Sequence, residues 1–204
     1  MEFLALYRTF RGRACFHIQE VLADNRDSLS TAFSRWVKAG QLIRLRGGWY
    51  AFPESAGSED NLRVIASEVY KPAYISLEYA LHFHGIIPEV VSSLTCVGTQ
   101  KTLSCRMAGR DFSFRHIRED LLWGFETVRT PSGVYRLARP EKAILDFLYL
   151  NPQYRNEEEF SLLRFDESFM TYNLDRTGVE AALDRIGSRS LCIRTSRLLN
   201  LYKI

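Results

Sequence analysis

The most constraining feature of this sequence is a pair of glycines, Gly47 and Gly48, between two runs of β-prone residues at 41–46 and 49–52. Two-residue hairpin turns require positive φ angles, which glycine adopts without steric strain. Two such runs separated by two glycines are a strong hairpin signal. The sequence therefore predicts a β-hairpin whose tip lies at Gly47 and Gly48.

The pairing of this hairpin follows from counting outward from the turn, with Arg46 opposite Trp49. One face of the hairpin would then be apolar and consist of Ile43, Leu45, Tyr50 and Phe52. The other face would carry Arg44, Arg46, Trp49 and Ala51. This register predicts two arginines and a tryptophan at an exposed tip.

Three helices are predicted before the hairpin, at about residues 3–7, at 18–23, and from Asp27 or Ser28 to Ala39. Asp and Ser are good N-caps, and Gly40 is a typical residue just after a helix. In the third helix the apolar residues recur with helical spacing and form one stripe. They are Leu29, Ala32, Phe33, Trp36 and Val37.

The opposite side of the third helix carries small hydroxyls and cations and no acid, whereas a solvated helix face usually mixes both signs of charge. Hydroxyls can approach a DNA backbone closely, and arginine can reach base edges. Helices followed by such a hairpin predict a winged helix-turn-helix over residues 1–53, with the third helix in the major groove. The predicted DNA-binding residues are Ser28, Ser30, Thr31, Ser34, Arg35, Lys38, Arg44, Arg46 and Trp49.

The distribution of charge agrees with a polyanionic partner for this N-terminal head, residues 1–53. The head contains eight basic and four acidic residues, a net charge of +4, whereas the whole chain carries only +3. The remaining residues are therefore nearly neutral, at −1. A basic segment on a neutral body indicates where a nucleic acid would bind.

Residues 53–57 are polar and rich in helix breakers and predict a linker, followed by a helix capped by Ser58. The body, residues 54–204, is predicted as an α+β domain with a mostly antiparallel sheet and a helical tail. Its predicted strands lie at 94–97, 102–107, 111–117, 125–130 and 134–138. Helices are predicted from Ser76 to His84 and from Pro140 onward, and His84 is interpreted as a partly buried structural histidine.

Arginines in the last predicted helix of the tail allow two interpretations. Arg189, Arg194 and Arg197 form either a second basic strip or an ordinary solvated face, and the solvated face is favoured.

Several classes of protein are excluded by simple features. The longest uncharged run has eleven residues, from Val90 to Gln100, whereas a membrane-spanning helix needs about 20. The start of the chain carries no secretory signal pattern. None of the four cysteines forms a C-x-x-C pair, so reduced thiols in a cytoplasmic protein are expected rather than disulfides or a zinc site.

No catalytic motif is visible, and neither a cofactor nor a metal is expected. The sequence lacks G-x-S-x-G, G-x-x-x-x-G-K and G-x-G-x-x-G patterns. Five scattered carboxylates could in principle converge on a metal, but such residues are usually on the surface or cap helices. They are Asp111, Glu119, Asp120, Glu126 and Asp146. We therefore expect a protein that is not an enzyme.

Five short segments resemble parts of the AbiEi-type antitoxins of bacterial abortive-infection systems. Residues 38–45 (KAGQLIRL) and 48–51 (GWYA) resemble the end of that family's winged helix. Residues 122–126 (LWGFE) and 136–146 (RLARPEKAILD) resemble the core of its C-terminal domain, and 74–81 (YISLEYAL) resembles the start of that domain. The resemblance covers roughly residues 16–150.

This resemblance implies a two-domain regulator of a type IV toxin–antitoxin system that acts in phage defence. The winged helix would bind inverted repeats at its own promoter and repress the operon, either as a homodimer or as two copies side by side. The C-terminal domain would counteract a partner toxin, a nucleotidyltransferase, without requiring stable binding to it.

Two alternatives remain open at this point. The winged helix could serve protein assembly rather than DNA binding, in which case no salt-sensitive binding to any duplex is expected. An enzyme acting on nucleic acid or a nucleotide would instead show metal-dependent turnover that is lost when one of the five carboxylates is replaced.

Overall fold

The structure, a computed structural model, describes residues 2–21 and 26–203, and for residues 26–28 it describes only the backbone. The chain is a mixed α+β protein with a mostly antiparallel main sheet and a helical C-terminal tail, as predicted.

The head begins with helix α1 (Phe3–Phe10) and strand β1 (Phe16–His17), followed after a 3-10 turn by α2 (Arg26–Lys38) and the short strands β2 (Ile43–Arg44) and β3 (Trp49–Ala51). The three strands form an antiparallel sheet in the order β1-β3-β2. The helix predicted at 18–23 is a 3-10 turn at Ile18–Glu20, and residues 22–23 lie outside the described part of the chain.

Helix α2 follows the prediction made from its apolar stripe. Leu29, Phe33 and Trp36 are buried in the core of the head, and the helix ends one residue before the predicted end. Gly40 adopts a φ of +70°, and the backbone N–H of Gln41 donates to the carbonyl of Trp36. Only a residue that tolerates the left-handed conformation closes a helix in this way, which explains the glycine.

Before its tail, the described part of the body contains three α-helices and six strands. In chain order these elements are α3 (Glu59–Val69), β4 (Ala73–Ile75), α4 (Leu77–Phe83), β5 (Leu94–Gly98), β6 (Leu103–Met107), β7 (Arg110–His116), β8 (Phe125–Thr130), β9 (Gly133–Ala138) and α5 (Pro140–Leu150). The six strands form one sheet in the order β6-β7-β5-β4-β9-β8. Two of its pairings are parallel, β5 with β7 and β4 with β9, and the other three are antiparallel.

The five predicted strands of the body are all present, but the sequence analysis did not identify β4. This strand lies in the middle of the sheet, between β5 and β9, and all three of its residues are buried. A short strand that is buried on both sides lacks the alternation that marks a half-exposed strand. The first residue of the segment predicted as a linker, Pro53, instead starts a 3-10 turn that ends at Gly57.

The tail consists of α6 (Glu157–Ser161), α7 (Arg176–Ile186) and α8 (Arg189–Leu201). Helices α7 and α8 pack against α5. The preferred interpretation of the tail arginines as a solvated face is wrong for Arg194, which is only 7% exposed. Its guanidinium donates to the carbonyl of Leu148 at 2.7 Å, because the last carbonyls of a helix lack intrahelical partners and attract cations.

Candidate nucleic-acid interface

Helix α2 presents the predicted hydroxyl and cationic residues to solvent. Ser30, Thr31, Ser34, Arg35 and Lys38 are all exposed, and we call them the α2 surface. The side chain of Ser28, which was predicted to bind DNA with them, lies outside the described residues. The other side of α2 is buried in the core of the head.

The electrostatic character of the α2 surface is purely cationic. Neither Arg35 nor Lys38 forms an ion pair with any residue that the structure describes. Both lie in the last turn of α2, where the helix dipole favours cations. Two cationic side chains beside small hydroxyls can contact phosphate oxygens and base edges.

The β2–β3 hairpin exists, but its predicted register is wrong by one residue. Ile43 pairs with Ala51 and Arg44 with Tyr50. The turn itself agrees with the prediction, since Trp49 donates to the carbonyl of Arg46 and both central glycines have positive φ. The next bond runs from the N–H of Leu45 to the carbonyl of Trp49, so Leu45 and Arg46 both oppose Trp49. This extra residue is a β-bulge, which shifts all the pairs beyond it.

The bulge changes which side of the hairpin each residue faces. Tyr50 and Phe52 are buried in the core of the head, whereas Leu45 and Ala51 are buried in the core of the body. The predicted exposed tip is therefore wrong for Trp49, which is half-buried and packs against the core of the body. The hairpin lies between two apolar cores instead of covering one.

Arg44 and Arg46 remain exposed, although both guanidiniums lie near aromatic rings. That of Arg44 lies 5.9 Å from the centroid of the Tyr50 ring. That of Arg46 lies 5.8 Å from the ring centroid of Tyr70, which belongs to the body. Contacts of this kind at exposed sites contribute only about 0.5–1 kcal/mol, so they leave both side chains able to move to a phosphate.

His17 holds the hairpin turn in place, a role that was not predicted from the sequence. Its Nε2 donates to the carbonyl of Gly47 at 2.9 Å, and its Nδ1 accepts from the N–H of Gln19 at 3.2 Å. A Cβ on Gly48 would lie only 2.7 Å from the Nε2 of His17. The second glycine is therefore required by both its backbone angle and the close approach of this imidazole. Nothing in the spacing of the sequence signals this pairing, because His17 lies 30 residues away from Gly47.

The head is attached to the body by direct contacts as well as by the chain. Ala14 and Cys15 of the head are buried in the core of the body. The N–H of Ala14 donates to the carbonyl of Ser132 at 2.9 Å. These contacts fix the orientation of α2 and the hairpin with respect to the body.

A buried polar network in the body was also missed by the sequence analysis. The Lys142 amine pairs with the carboxylate of Asp146 one helical turn away, and it donates to the hydroxyl of Tyr74. Tyr74 and Ser76 in turn donate to the carboxylate of Asp146 at 2.7 and 2.8 Å. Burial raises the pKa of the Asp146 carboxyl and lowers that of the Lys142 amine, while their mutual attraction opposes both shifts.

The five carboxylates considered for a metal site do not converge. Four of them pair with four different cations, Asp111 with Arg106, Asp120 with Arg118, Glu126 with Arg139 and Asp146 with Lys142. Among the described residues, no three His, Cys, Asp or Glu side chains are placed to hold a metal ion. His84 is a partly buried histidine, as predicted, and its Nε2 donates to the carbonyl of Ala138 at 2.8 Å.

Two cavities lie in the body, away from the α2 surface. One is a cleft of about 410 Å³, and its wall includes Trp123, Lys142 and Arg185. The guanidinium of Arg185 lies 4.4 Å from the centroid of the Trp123 ring. Residues 122–126 and 136–146 therefore meet at this cleft. The second cavity, of about 630 Å³, lies beside α8.

Comparison with known proteins identifies no family for this chain. The chain matches no protein-family model and no curated protein. None of the helices in the described part of the chain is long and apolar enough to cross a membrane.

Proposed function

We propose that residues 1–53 form a winged helix-turn-helix that binds duplex DNA, with α2 as the recognition helix and the β2–β3 hairpin as the wing. The observation that carries this proposal is the difference in polarity between the two sides of α2. Its buried side is apolar, and its exposed side combines hydroxyls with cations that no described carboxylate neutralises. A helix with this division is suited to the major groove.

The order of the elements supports the same proposal. Helix α1, strand β1, helix α2 and the hairpin follow one another, and β3 pairs with both β1 and β2. In this arrangement the wing follows the recognition helix in the sequence, and it carries Arg44 and Arg46 at its exposed edge. We assign these two arginines to phosphate contacts. Trp49 supports the wing from the side of the body.

The biological role that we propose is that of an autoregulating repressor and antitoxin of an AbiE-like system. The segments at 38–51, 74–81 and 122–146 support this role by their resemblance to AbiEi-type antitoxins. A promoter with inverted repeats would take two copies of the chain, since each head reads one half-site. The body would counteract a nucleotidyltransferase toxin encoded beside this gene.

DNA binding can be tested by fluorescence anisotropy with a duplex taken from the region immediately upstream of the coding sequence. Arg35→Ala and Lys38→Ala are each expected to weaken binding by about tenfold, since one lost contact to a phosphate or base costs about 1–3 kcal/mol. Arg129→Ala is the matched control, because Arg129 is an exposed arginine on β8. The plot of log affinity against log salt concentration should lose about one unit of slope for each lost phosphate contact.

The DNA-binding proposal fails if wild-type protein shows no salt-dependent binding to this duplex. It also fails if Arg129→Ala weakens binding as much as Arg35→Ala does. Thermal unfolding of each variant provides the control for folding, because exposed substitutions are expected to change stability by less than about 0.5 kcal/mol.

The antitoxin role can be tested by expressing the neighbouring nucleotidyltransferase with and without this protein. Expression of the enzyme alone should arrest growth, and co-expression should restore it. Arg35→Ala is expected to restore growth as well as wild type does while losing repression of a promoter–reporter fusion. If co-expression leaves the arrest unchanged, the antitoxin role is wrong even where DNA binding is observed.

A further inference from the structure

The second cavity of the body is lined almost entirely by basic and small residues. It lies between α8 and the segment that follows α5, and its volume is about 630 Å³. Its lining contains four arginines and no acidic residue; the residues are Pro152, Arg155, Arg189, Ser190, Ile193, Arg194 and Arg197. We call it the arginine cavity.

None of the four guanidiniums forms an ion pair with a residue that the structure describes, although the backbone N–H of Arg155 donates to the carboxylate of Glu159 at 2.6 Å. The hydrogen bonds that the guanidiniums of Arg155, Arg194 and Arg197 donate go to neutral carbonyl oxygens. Arg155 donates to the carbonyl of Pro152, and Arg197 donates to the carbonyl of Arg155. A guanidinium has five N–H donors, so most of the donors on Arg155, Arg189 and Arg197 remain available.

Arg194 forms the buried wall of the cavity. It is 7% exposed, and its donors reach carbonyls at the end of α5, but its Nε is buried without a hydrogen-bond partner. Burial and the nearby charge of Arg155 lower the pKa of Arg194. A buried cation that faces another cation is costly unless an anion compensates it.

The first turn of α8 adds to the positive potential of this cavity. Arg189 and Ser190 are the first residues of a 13-residue helix and also line the cavity. Helix N-termini attract anions because their first backbone N–H groups lack intrahelical partners and carry the positive end of the dipole. The Ser188 hydroxyl satisfies only one of these N–H groups, that of Leu191, from which it accepts a hydrogen bond.

We propose that the arginine cavity binds a small organic di- or triphosphate. Planar arginine forks match phosphate oxygens and bind them through two parallel hydrogen bonds. The volume lies within the range of about 300–1,000 Å³ that is typical of small-molecule sites. Ile193, which is 46% exposed, and Pro152 offer an apolar surface for the organic part of such a ligand. The concave shape with a buried wall favours a small ligand over a duplex, which needs a long open track.

Isothermal titration calorimetry of the full chain with pyrophosphate, ADP and ATP tests this proposal, with citrate as a carboxylate control. Pyrophosphate and the nucleotides should bind one molecule per chain, and citrate should bind at least about tenfold more weakly. The double variant Arg189→Ala/Arg197→Ala is expected to weaken phosphate binding by about a hundredfold, because each lost charge-assisted contact costs about 1.5 kcal/mol or more. Both residues are exposed, so the variant should fold normally, and Arg129→Ala should bind like wild type.

Three outcomes would overturn the proposal. The first is an absence of saturable binding by all three phosphate probes. The second is unchanged phosphate affinity in the double variant, and the third is equal affinity for citrate and pyrophosphate. If the double variant loses affinity only for the upstream duplex, the cavity belongs to a nucleic-acid surface and the small-ligand assignment is wrong. The DNA affinity of Arg35→Ala reports independently on the α2 surface, so failure here leaves that function intact.

Discussion

Helix α2 in the head and helix α5 in the body place their charged residues differently, because α2 has an exposed side whereas α5 is buried on all sides over residues 142–148. On α2, every charged side chain that the structure describes is exposed, and the buried stripe is apolar. Within α5, Lys142 and Asp146 are 2% and 3% exposed and take part in a polar network. The charges of α2 are therefore available to a partner, whereas those of α5 interact with one another within the fold.

The largest expected effect is on the body, where one partner of the buried ion pair is removed. Lys142→Met should lower the free energy of unfolding by about 3–5 kcal/mol, because the Asp146 carboxylate is left buried without its cation. Chemical denaturation measures this change. The double variant Lys142→Met/Asp146→Leu should be more stable than Lys142→Met, and a single variant as stable as wild type would contradict the account of α5.

This destabilisation should also depend on pH. Burial raises the pKa of Asp146 above its ordinary value of 3.8, and removal of Lys142 removes the strongest interaction that opposes this shift, leaving the hydrogen bonds from Tyr74 and Ser76. When folding raises the pKa of a carboxyl, the folded protein loses stability as the pH rises through the pKa that this carboxyl has in the unfolded chain, since the unfolded chain ionises first. The cost of Lys142→Met should therefore grow as the pH rises from about 3 to 7.

The equivalent experiment in the head should show no pH dependence. Phe33→Leu removes part of a ring that is 0% exposed in the core of the head and should cost roughly 1–2 kcal/mol. Denaturation at several pH values should give the same loss throughout, because Leu29, Trp36 and Tyr50 surround it without a buried ion pair. A loss that varies with pH in the manner of Lys142→Met would remove the distinction between the two cores.

The hairpin between the two cores allows a smaller and more local comparison. Gly48→Ala should cost about 1–2 kcal/mol, because it combines a φ of +86° with a Cβ placed 2.7 Å from the Nε2 of His17. Gly47→Ala is the matched control, since its φ is +61° but no atom lies within 4 Å of the added Cβ. Equal losses in thermal unfolding would mean that His17 does not hold the turn.

Cysteine reactivity tests whether the head and body separate. Cys15 of the head is buried in the core of the body, and burial raises its pKa to about 12, so almost no thiolate forms at pH 8. Cys96 is buried in the main sheet and serves as the internal reference. Both thiols should become reactive at the same denaturant concentration. Labelling of Cys15 well before Cys96 would show that the head detaches from the body as a separate unit.

The sequence predicted well those elements in which polarity follows exposure. The bounds of β8 were correct to the residue, and α2 ends at Lys38, one residue before the predicted end at Ala39. Strand β4 was missed because all three of its residues are buried and do not alternate. Lys142, Asp146 and Arg194 were missed as buried residues because charged side chains in a helical pattern normally indicate solvent.

Only part of the candidate interface could be predicted from the sequence. The residues of the α2 surface could be recognised from one helix alone, because local spacing determines which side of a helix they share. The side of the hairpin on which Trp49 lies could not be predicted, since it depends on a single-residue bulge and on the body packed behind the hairpin. His17 and the arginine cavity depend on contacts between residues that are distant in the sequence.

The most direct measurement of the central claim is to determine which surface of the protein faces bound DNA. A Ser34→Cys variant, with the half-buried Cys105 and Cys192 replaced by Ser, can carry an iron-chelate reagent that cleaves nearby DNA. The account predicts strong cleavage of the upstream duplex at the centre of each half-site from Ser34→Cys, and weak cleavage from the control Arg129→Cys. Cleavage from Arg129→Cys, or none from Ser34→Cys at saturating protein, would contradict the assignment of α2 to the DNA groove.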